Sequence, residues 1–297
     1  GTKKERFLKP DLACDAIRLK CTVRETVHKM LMVRHNTKGK DLGRIGPVAF
    51  ETVGTWLKRF EPSRNEKMFR NFYGKKLALQ KDNVDEIIVI GDIHGDLLSF
   101  LTALVMGGVI DARGEYIPAP PGTSRMVVQT GDLIDRKIRS SDKATSTNGR
   151  EEIDLMQYVY LLDRHARHVK DDDTRIVSIC GNHDAYNMDF EAFKSIRESF
   201  WTDVTIKGFG GKEGRRDFFR TGTNVGRYMA WTRPLLVRIG DWVFTHGGVD
   251  LKKMQNFADA HPTSLKSRDP DTGAALVVLV NDVYAALMTR DKSALAQ

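Results

Sequence analysis

Carboxylate, imidazole and amide side chains gather in four short signatures along this chain: GDIHG (Gly91–Gly95), GDLIDR (Gly131–Arg136), GNHD (Gly181–Asp184) and THGG (Thr245–Gly248). These are the groups that hold hard to borderline divalent cations, and no cysteine competes within the motifs. Asp92 and His94, two positions apart, would take a first ion. Asp132 could bridge two ions with its two oxygens, and Asn182 and His246 would hold the second. Two ions roughly 3.5–4 Å apart clamp phosphoryl oxygens and acidify a shared water for in-line attack. His183 could then protonate the departing alkoxide with Asp135 orienting its ring, and Arg136 offers a planar fork for phosphate oxygens. The chemistry expected from this set is hydrolysis of a phosphate ester.

Such ligands meet only if the chain positions them together. Each signature follows an apolar, strand-like run: Ile87–Ile90, Met126–Val128, Ile176–Cys180 and Trp242–Phe244. Parallel strands place a site in the crevice beyond their carboxyl ends, so an α/β arrangement is expected. Helical patterns fall between the runs, at Leu97–Val105 before Gly107-Gly108, at Glu151–His168 and at Phe190–Phe200. Leu235–Ile239 and Trp242–Phe244, joined at Gly240-Asp241, read as a hairpin that delivers His246. Lys207–Gly214 is glycine-rich and basic, and Ser140–Asn148 reads as a polar loop.

Upstream of residue 85 the pattern is helical. Ala13–Val33, Val48–Phe60 and a stretch from about Asn65 to Leu79 carry apolar residues near helical spacing, broken by a polar loop at His35–Gly43. Residues 1–84 are therefore expected to be a basic helical extension docked on a catalytic domain at 85–297. Charge separates the two parts. Residues 1–85 hold 20 Lys/Arg against 10 Asp/Glu, whereas the remainder holds 27 against 29, which together give the net +8. A solvated helical face accounts for this excess, and so does an acidic partner such as RNA. The aromatic residues among these charges (Phe50, Trp56, Phe60, Phe69, Phe72, Tyr73) suit packing as well as base stacking.

Composition excludes some classes. No apolar run approaches the roughly 20 residues that span a bilayer. Cys14, Cys21 and Cys180 have no disulfide or zinc-ribbon spacing. With no segment that reads as a secretory signal, an intracellular location is expected, in the cytoplasm or mitochondrial matrix rather than secreted. His28, His35, His165 and His168 lack motif context and read as surface or packing residues.

The four motifs, in type and order, resemble the calcineurin-like metallophosphoesterases, and within them the phosphoprotein phosphatases of the Shewanella-like group. The similarity covers about Asp85–Asp250 and extends weakly to Met288, including Gly222–Arg227 and Arg233–Gly240. The resemblance implies a β-sandwich flanked by helices, two divalent ions (Mn, Fe or Zn) and phosphomonoester hydrolysis. It implies ligand roles for Asp92, His94, Asp132, Asn182 and His246, and acid and phosphate-binding roles for His183 and Arg136. The substrate it implies is a phosphorylated protein or another phosphomonoester.

This chain departs from the family in two places. Lys137 stands where a glycine usually follows the Asp-Arg pair. The family also has a further histidine in a Gly-His motif downstream, whereas here the sole histidine after His246 is His261, in Ala-His-Pro. The second ion is therefore expected to be weakly held or absent, through truncation or loss. One such motif alone could be an ordinary turn at a strand end, but four in order are not coincidence. Two function classes follow: a metal-dependent serine/threonine phosphatase, or an impaired phosphatase-like scaffold in a larger, ribonucleoprotein-type assembly.

Overall fold

The computed structural model describes residues 22–29, 44–60, 80–81, 83–135, 150–188, 209–262 and 272–289. They fall in two compact units, one drawn from residues 1–49 and 98–117, the other from 50–97 and 118–297.

In the first unit, residues 22–29 form a helix, α1. Strands β1 (Arg44–Ile45) and β2 (Val48–Ala49) pair as a small antiparallel hairpin. Gly46 lies in its turn at φ +55°, where an added Cβ would sit 1.8 Å from the Gly114 carbonyl oxygen, so only glycine fits. The stretch Val48–Phe60, which reads as one amphipathic segment, is thus divided. After β2 the helix α2 (Val53–Leu57) begins at Thr52, whose side chain accepts from the Thr55 N–H, and a 3-10 turn runs on to Phe60. That cap marks a helix start four residues beyond the strand. The expected helices at Asn65–Leu79 and Phe190–Phe200 lie outside the described residues.

The second unit carries two three-stranded sheets. In one, β4 (Glu86–Ile90), β5 (Ser124–Gln129) and β6 (Asp173–Ser178) run parallel in that order. All six residues of β5 are buried, as a central strand covered on both faces requires. Its register aligns Ile90 with Gln129 and Gln129 with Ser178, so the three strands end level. In the other sheet, β3 (Gln80–Lys81) pairs parallel with β7 (Val237–Ile239), which forms the expected hairpin with β8 (Trp242–Phe244). Met126, Val128, Val177 and Ile179 from the first sheet share one core with Leu236, Val237 and Ile239 from the second. The sheets therefore pack face to face, and Val277 of the long helix Thr272–Thr289 closes the core.

Helices flank these layers. In the second unit, α4 (Arg150–Ala166) buries Leu155, Met156, Tyr158, Val159 and Leu162, while α3 (Leu97–Met106), which follows the first motif, falls in the first unit from Leu98 onward. α5 (Asn182–Met188) begins within the third motif, and α6 (Lys212–Phe219) and α7 (Asn224–Thr232) follow. α8 is Leu251–Ala260 and α9 is Thr272–Thr289. Buried Asn281 of α9 fixes the chain entering β7: its Oδ1 accepts from the N–H groups of Leu235 (2.7 Å) and Leu236 (3.2 Å), and its amide donates to the Leu236 carbonyl (2.8 Å).

Residues 50–60 belong to this unit. Trp56 and Phe60 are fully buried, with ring centroids 4.8 and 5.0 Å from Tyr228, and Phe60 also meets Tyr160 at 5.7 Å. Phe50 stacks on Tyr158. These three aromatics are packing residues and offer no face to a base; Phe69, Phe72 and Tyr73 lie outside the described residues. Among the described residues no helix is long and apolar enough to cross a membrane.

Candidate metal centre

The level strand ends set the motif loops side by side, and backbone hydrogen bonds lock them. The Asp132 carbonyl accepts from the N–H groups of Ile93 (3.1 Å) and His94 (2.8 Å), and the Leu133 carbonyl from Gly95 (2.7 Å). The third motif is tied to the second through Asp184, whose Oδ2 accepts from the N–H groups of Gly181 (2.9 Å) and Leu133 (3.4 Å). Arg233, fully buried, donates to the other Asp184 oxygen at 2.6 Å. His94, Asp132 and Asp135 all adopt positive φ, at 49°, 52° and 77°. Non-glycine residues take this region rarely and gather in it at functional sites.

Glycines give the ligands room to converge. A Cβ on Gly181 would lie 2.2 Å from both the amide nitrogen and Oδ1 of Asp132, and one on Gly131 would lie 2.8 Å from His246 Nδ1.

The expected ligands do meet. Asp132 Oδ2 lies 3.9 Å from His94 Nε2 and 3.2 Å from His246 Nε2. Asp92, half-exposed, reaches to 3.9 Å from His94 Nε2 and 3.8 Å from His246 Nδ1. Asn182 Oδ1 is 2.8 Å from His246 Nε2. Ligand atoms each about 2.1 Å from a shared ion sit roughly 3–3.5 Å apart; Asp132 and His246 fall in that range, and the pairs made by His94 lie just beyond it. One detail differs from the expectation that both Asp132 oxygens bridge. Oδ1 accepts from the His183 N–H at 2.9 Å, which leaves Oδ2 as the oxygen between the two imidazoles.

The donor chemistry fits a cation. His246 Nδ1 donates to the Thr130 carbonyl at 2.9 Å, so Nε2 carries the lone pair. Around a neutral His246 ring, Asp132 Oδ2 and Asn182 Oδ1 are acceptors too, so three acceptors converge. Among the described residues, buried His94 Nδ1 has no hydrogen-bond partner. Burial pushes the Asp132 carboxyl above its ordinary range, against the His183 N–H bond, and nearby Asp184 adds to the rise. A bound cation would offset that cost.

His183 stands apart in its bonding. One of its ring atoms lies within 4.8 Å of ligand atoms of His94 and Asp132. Its Nδ1, however, donates to Asp135 Oδ2 at 2.9 Å, and this carboxylate favours the imidazolium, the form in which Nε2 also carries a proton. Burial pushes the Asp135 carboxyl up, but the His183 hydrogen bond and the Arg215 guanidinium outweigh it, and the group ends below the ordinary carboxylate range. Arg136 and Lys137 lie outside the described residues. His261 caps α8, donating from Nδ1 to the Phe257 carbonyl at 2.9 Å and stacking on the Phe257 ring, and does not join the cluster.

Sequence reasoning missed the layer behind these residues. Asn187 donates to the His183 carbonyl at 2.8 Å, and its place four residues along a helix from His183 was a usable signal. Arg215 gave none, because an arginine in a polar segment reads as surface until the fold buries it, whereas Arg233, between Trp231 and Leu235, stands in an apolar run that was a usable signal.

Residues 86–292 match the calcineurin-like phosphoesterase family, and the chain belongs to it. Shewanella-like protein phosphatase 2 of Arabidopsis thaliana is 28% identical over 161 residues, covering 52% of this chain and 34% of the relative. Shewanella-like protein phosphatase 1 of Plasmodium berghei (strain Anka) is 25% identical over 207 residues, covering 64% and 48%. The chain thus spans less than half the length of either relative. No solved structure matches it significantly.

Proposed function

We propose that this chain is a metal-dependent phosphomonoesterase acting on phosphoserine or phosphothreonine in proteins, through two divalent ions of the Mn, Fe or Zn type. The observation that carries the proposal is Asp132 Oδ2, set between His94 and His246 in a nest of acceptors. Family membership and the names of the two relatives supply the reaction class and the protein substrate.

Asp92, His94 and Asp132 would hold one ion, and Asp132, Asn182 and His246 the other. When bound, such ions supply positive charge to phosphoryl oxygens and acidify water for in-line attack. The chain's own residues do the rest. Asp135 fixes the His183 ring so that Nε2 presents a proton to the leaving alkoxide, while Arg136 would grip phosphate oxygens through its fork. Residues 50–60 pack on the catalytic part through Trp56 and Phe60, which meet Tyr228.

The test is phosphate release from a phosphoserine peptide by the metal-free chain, titrated with Mn(II). Release that rises with metal and disappears in Asp132→Asn supports the proposal. No release at any metal concentration returns the chain to the scaffold class.

A further inference from the structure

α6 supplies none of the metal ligands, yet it carries an arginine buried behind His183. Arg215 has no exposed surface. Its Nη2 lies 3.3 Å from Asp135 Oδ1 and 2.8 Å from Glu152 Oε2, and its Nε donates to Asn187 Oδ1 at 2.9 Å. Phe209 and Phe219 cover the guanidinium, at 5.0 and 4.9 Å from their ring centroids. The glycines explain the local chain path: a Cβ on Gly214 would fall 1.7 Å from the Phe209 carbonyl oxygen, so Phe209 approaches the guanidinium only over a glycine.

We propose that Arg215 is a positioning residue that aims the Asp135–His183 pair, holding one Asp135 oxygen so that the other is fixed on His183 Nδ1. Three observations converge on this role. Asp135 sits at φ 77°, a conformation that aspartate holds only when its surroundings enforce it. The two Asp135 oxygens are divided between the two partners, Oδ1 to Arg215 and Oδ2 to His183. Asn187 receives the Arg215 Nε–H and passes its own amide N–H to the His183 carbonyl, so one guanidinium braces both the ring and the backbone of the acid. Glu152 sets a second carboxylate on the same guanidinium, 2.8 Å from Nη2.

A planar five-donor fork can serve Asp135, Glu152 and Asn187 at once, whereas an ammonium keeps the charge without the fixed directions. Lysine should therefore not substitute. The inference rests on the acid role of His183, and its test separates the two claims.

In the full chain without metal, a proton on His183 Nδ1 bound to a carboxylate gives a far-downfield NMR signal, assigned by its loss in His183→Gln. The signal should be present in the wild type and absent or exchange-broadened in Arg215→Lys. It should also be absent in Arg215→Met/Glu152→Gln, which removes one buried charge of each sign. In a second arm, with Mn(II), Arg215→Lys should slow an alkyl phosphomonoester by up to ~10²-fold, as misplacement of a reacting group does. An aryl ester with a good leaving group should slow by far less, and the difference should vanish in an Asp135→Asn background. A His183 signal unchanged in both folded variants, or equal slowing of both esters, overturns the positioning role. A wild type with the signal but no hydrolysis sinks the phosphatase reading and leaves the bracing of His183 standing.

Discussion

Glycines recur in all four motifs, but the structure makes them unequal, and Gly181→Ala tests why. A Cβ there would lie 2.2 Å from the amide nitrogen and Oδ1 of Asp132 and 3.0 Å from its Cα. Backbone cannot swing aside like the tip of a side chain, so Asp132 or the third motif must shift by about 1 Å to restore contact distances of the kind a packed interior tolerates. Overpacking of this sort costs about 1–3 kcal/mol, or roughly 2–4 °C of Tm for each kcal/mol in a domain this size. The functional loss should be larger, because Asp132 Oδ2 is the oxygen shared between His94 and His246 and its displacement disturbs both ion positions. Misplacement by 1 Å costs on the order of 10²-fold. Gly91 and Gly247 serve as internal controls: nothing lies within 4 Å of a Cβ on either, and neither has positive φ. Alanine there should be neutral to slightly stabilising, within about 1 kcal/mol. Calorimetric Mn(II) titration together with thermal unfolding of the three variants decides the matter. If Gly181→Ala binds metal like the wild type, or Gly247→Ala fails as badly as Gly181→Ala, the steric account of the motif is wrong.

Asp132→Asn should lower occupancy of both ion positions, and Asn182→Ala that of the second alone; equal loss in both variants, measured as metal per chain, contradicts the ligand assignment. His183→Asn should keep its metal but slow alkyl ester hydrolysis by roughly 10²–10⁴-fold while sparing a good aryl leaving group; steady-state rates on the two ester types give the ratio. Because the Asp135 carboxyl is held below its ordinary value of about 3.8, its ion pairing stabilises the fold above that pH, and the stabilisation is lost as pH falls through the depressed folded value. The stability gap between the wild type and Asp135→Asn, from urea unfolding, should be full near neutral pH and narrow below about pH 4; a gap that stays constant to pH 2 refutes the assignment.

The ligands could be read in the sequence because each follows a strand, and a parallel sheet brings strand ends together wherever they fall in the chain. The runs before Asp92, Asp132 and Asn182 became β4, β5 and β6, and the hairpin that carries His246 formed where Gly240-Asp241 placed its turn. Local chemistry also fixed the His183–Asp135 pair, since both residues lie in motif loops. What escaped was long-range. Arg215 lies 80 positions from Asp135, and its helix carries Lys212, Glu213 and Arg216 beside it, so hydrophobic patterning assigns it to solvent. The division of Val48–Phe60 was hidden because a two-residue strand leaves no periodicity, and the Thr52 cap was the sole local sign of a fresh start. The split of the Asp132 oxygens depends on where the His183 N–H falls, which no spacing rule encodes.

The central claim is a pair of ion positions that share Asp132 and support phosphoester hydrolysis, and a single titration addresses it. Mn(II) added to the metal-free chain should bind at two ions per chain, with phosphate release from a phosphoserine peptide appearing only as the second position fills. Release that is complete at one equivalent, or none at saturating metal, contradicts the account.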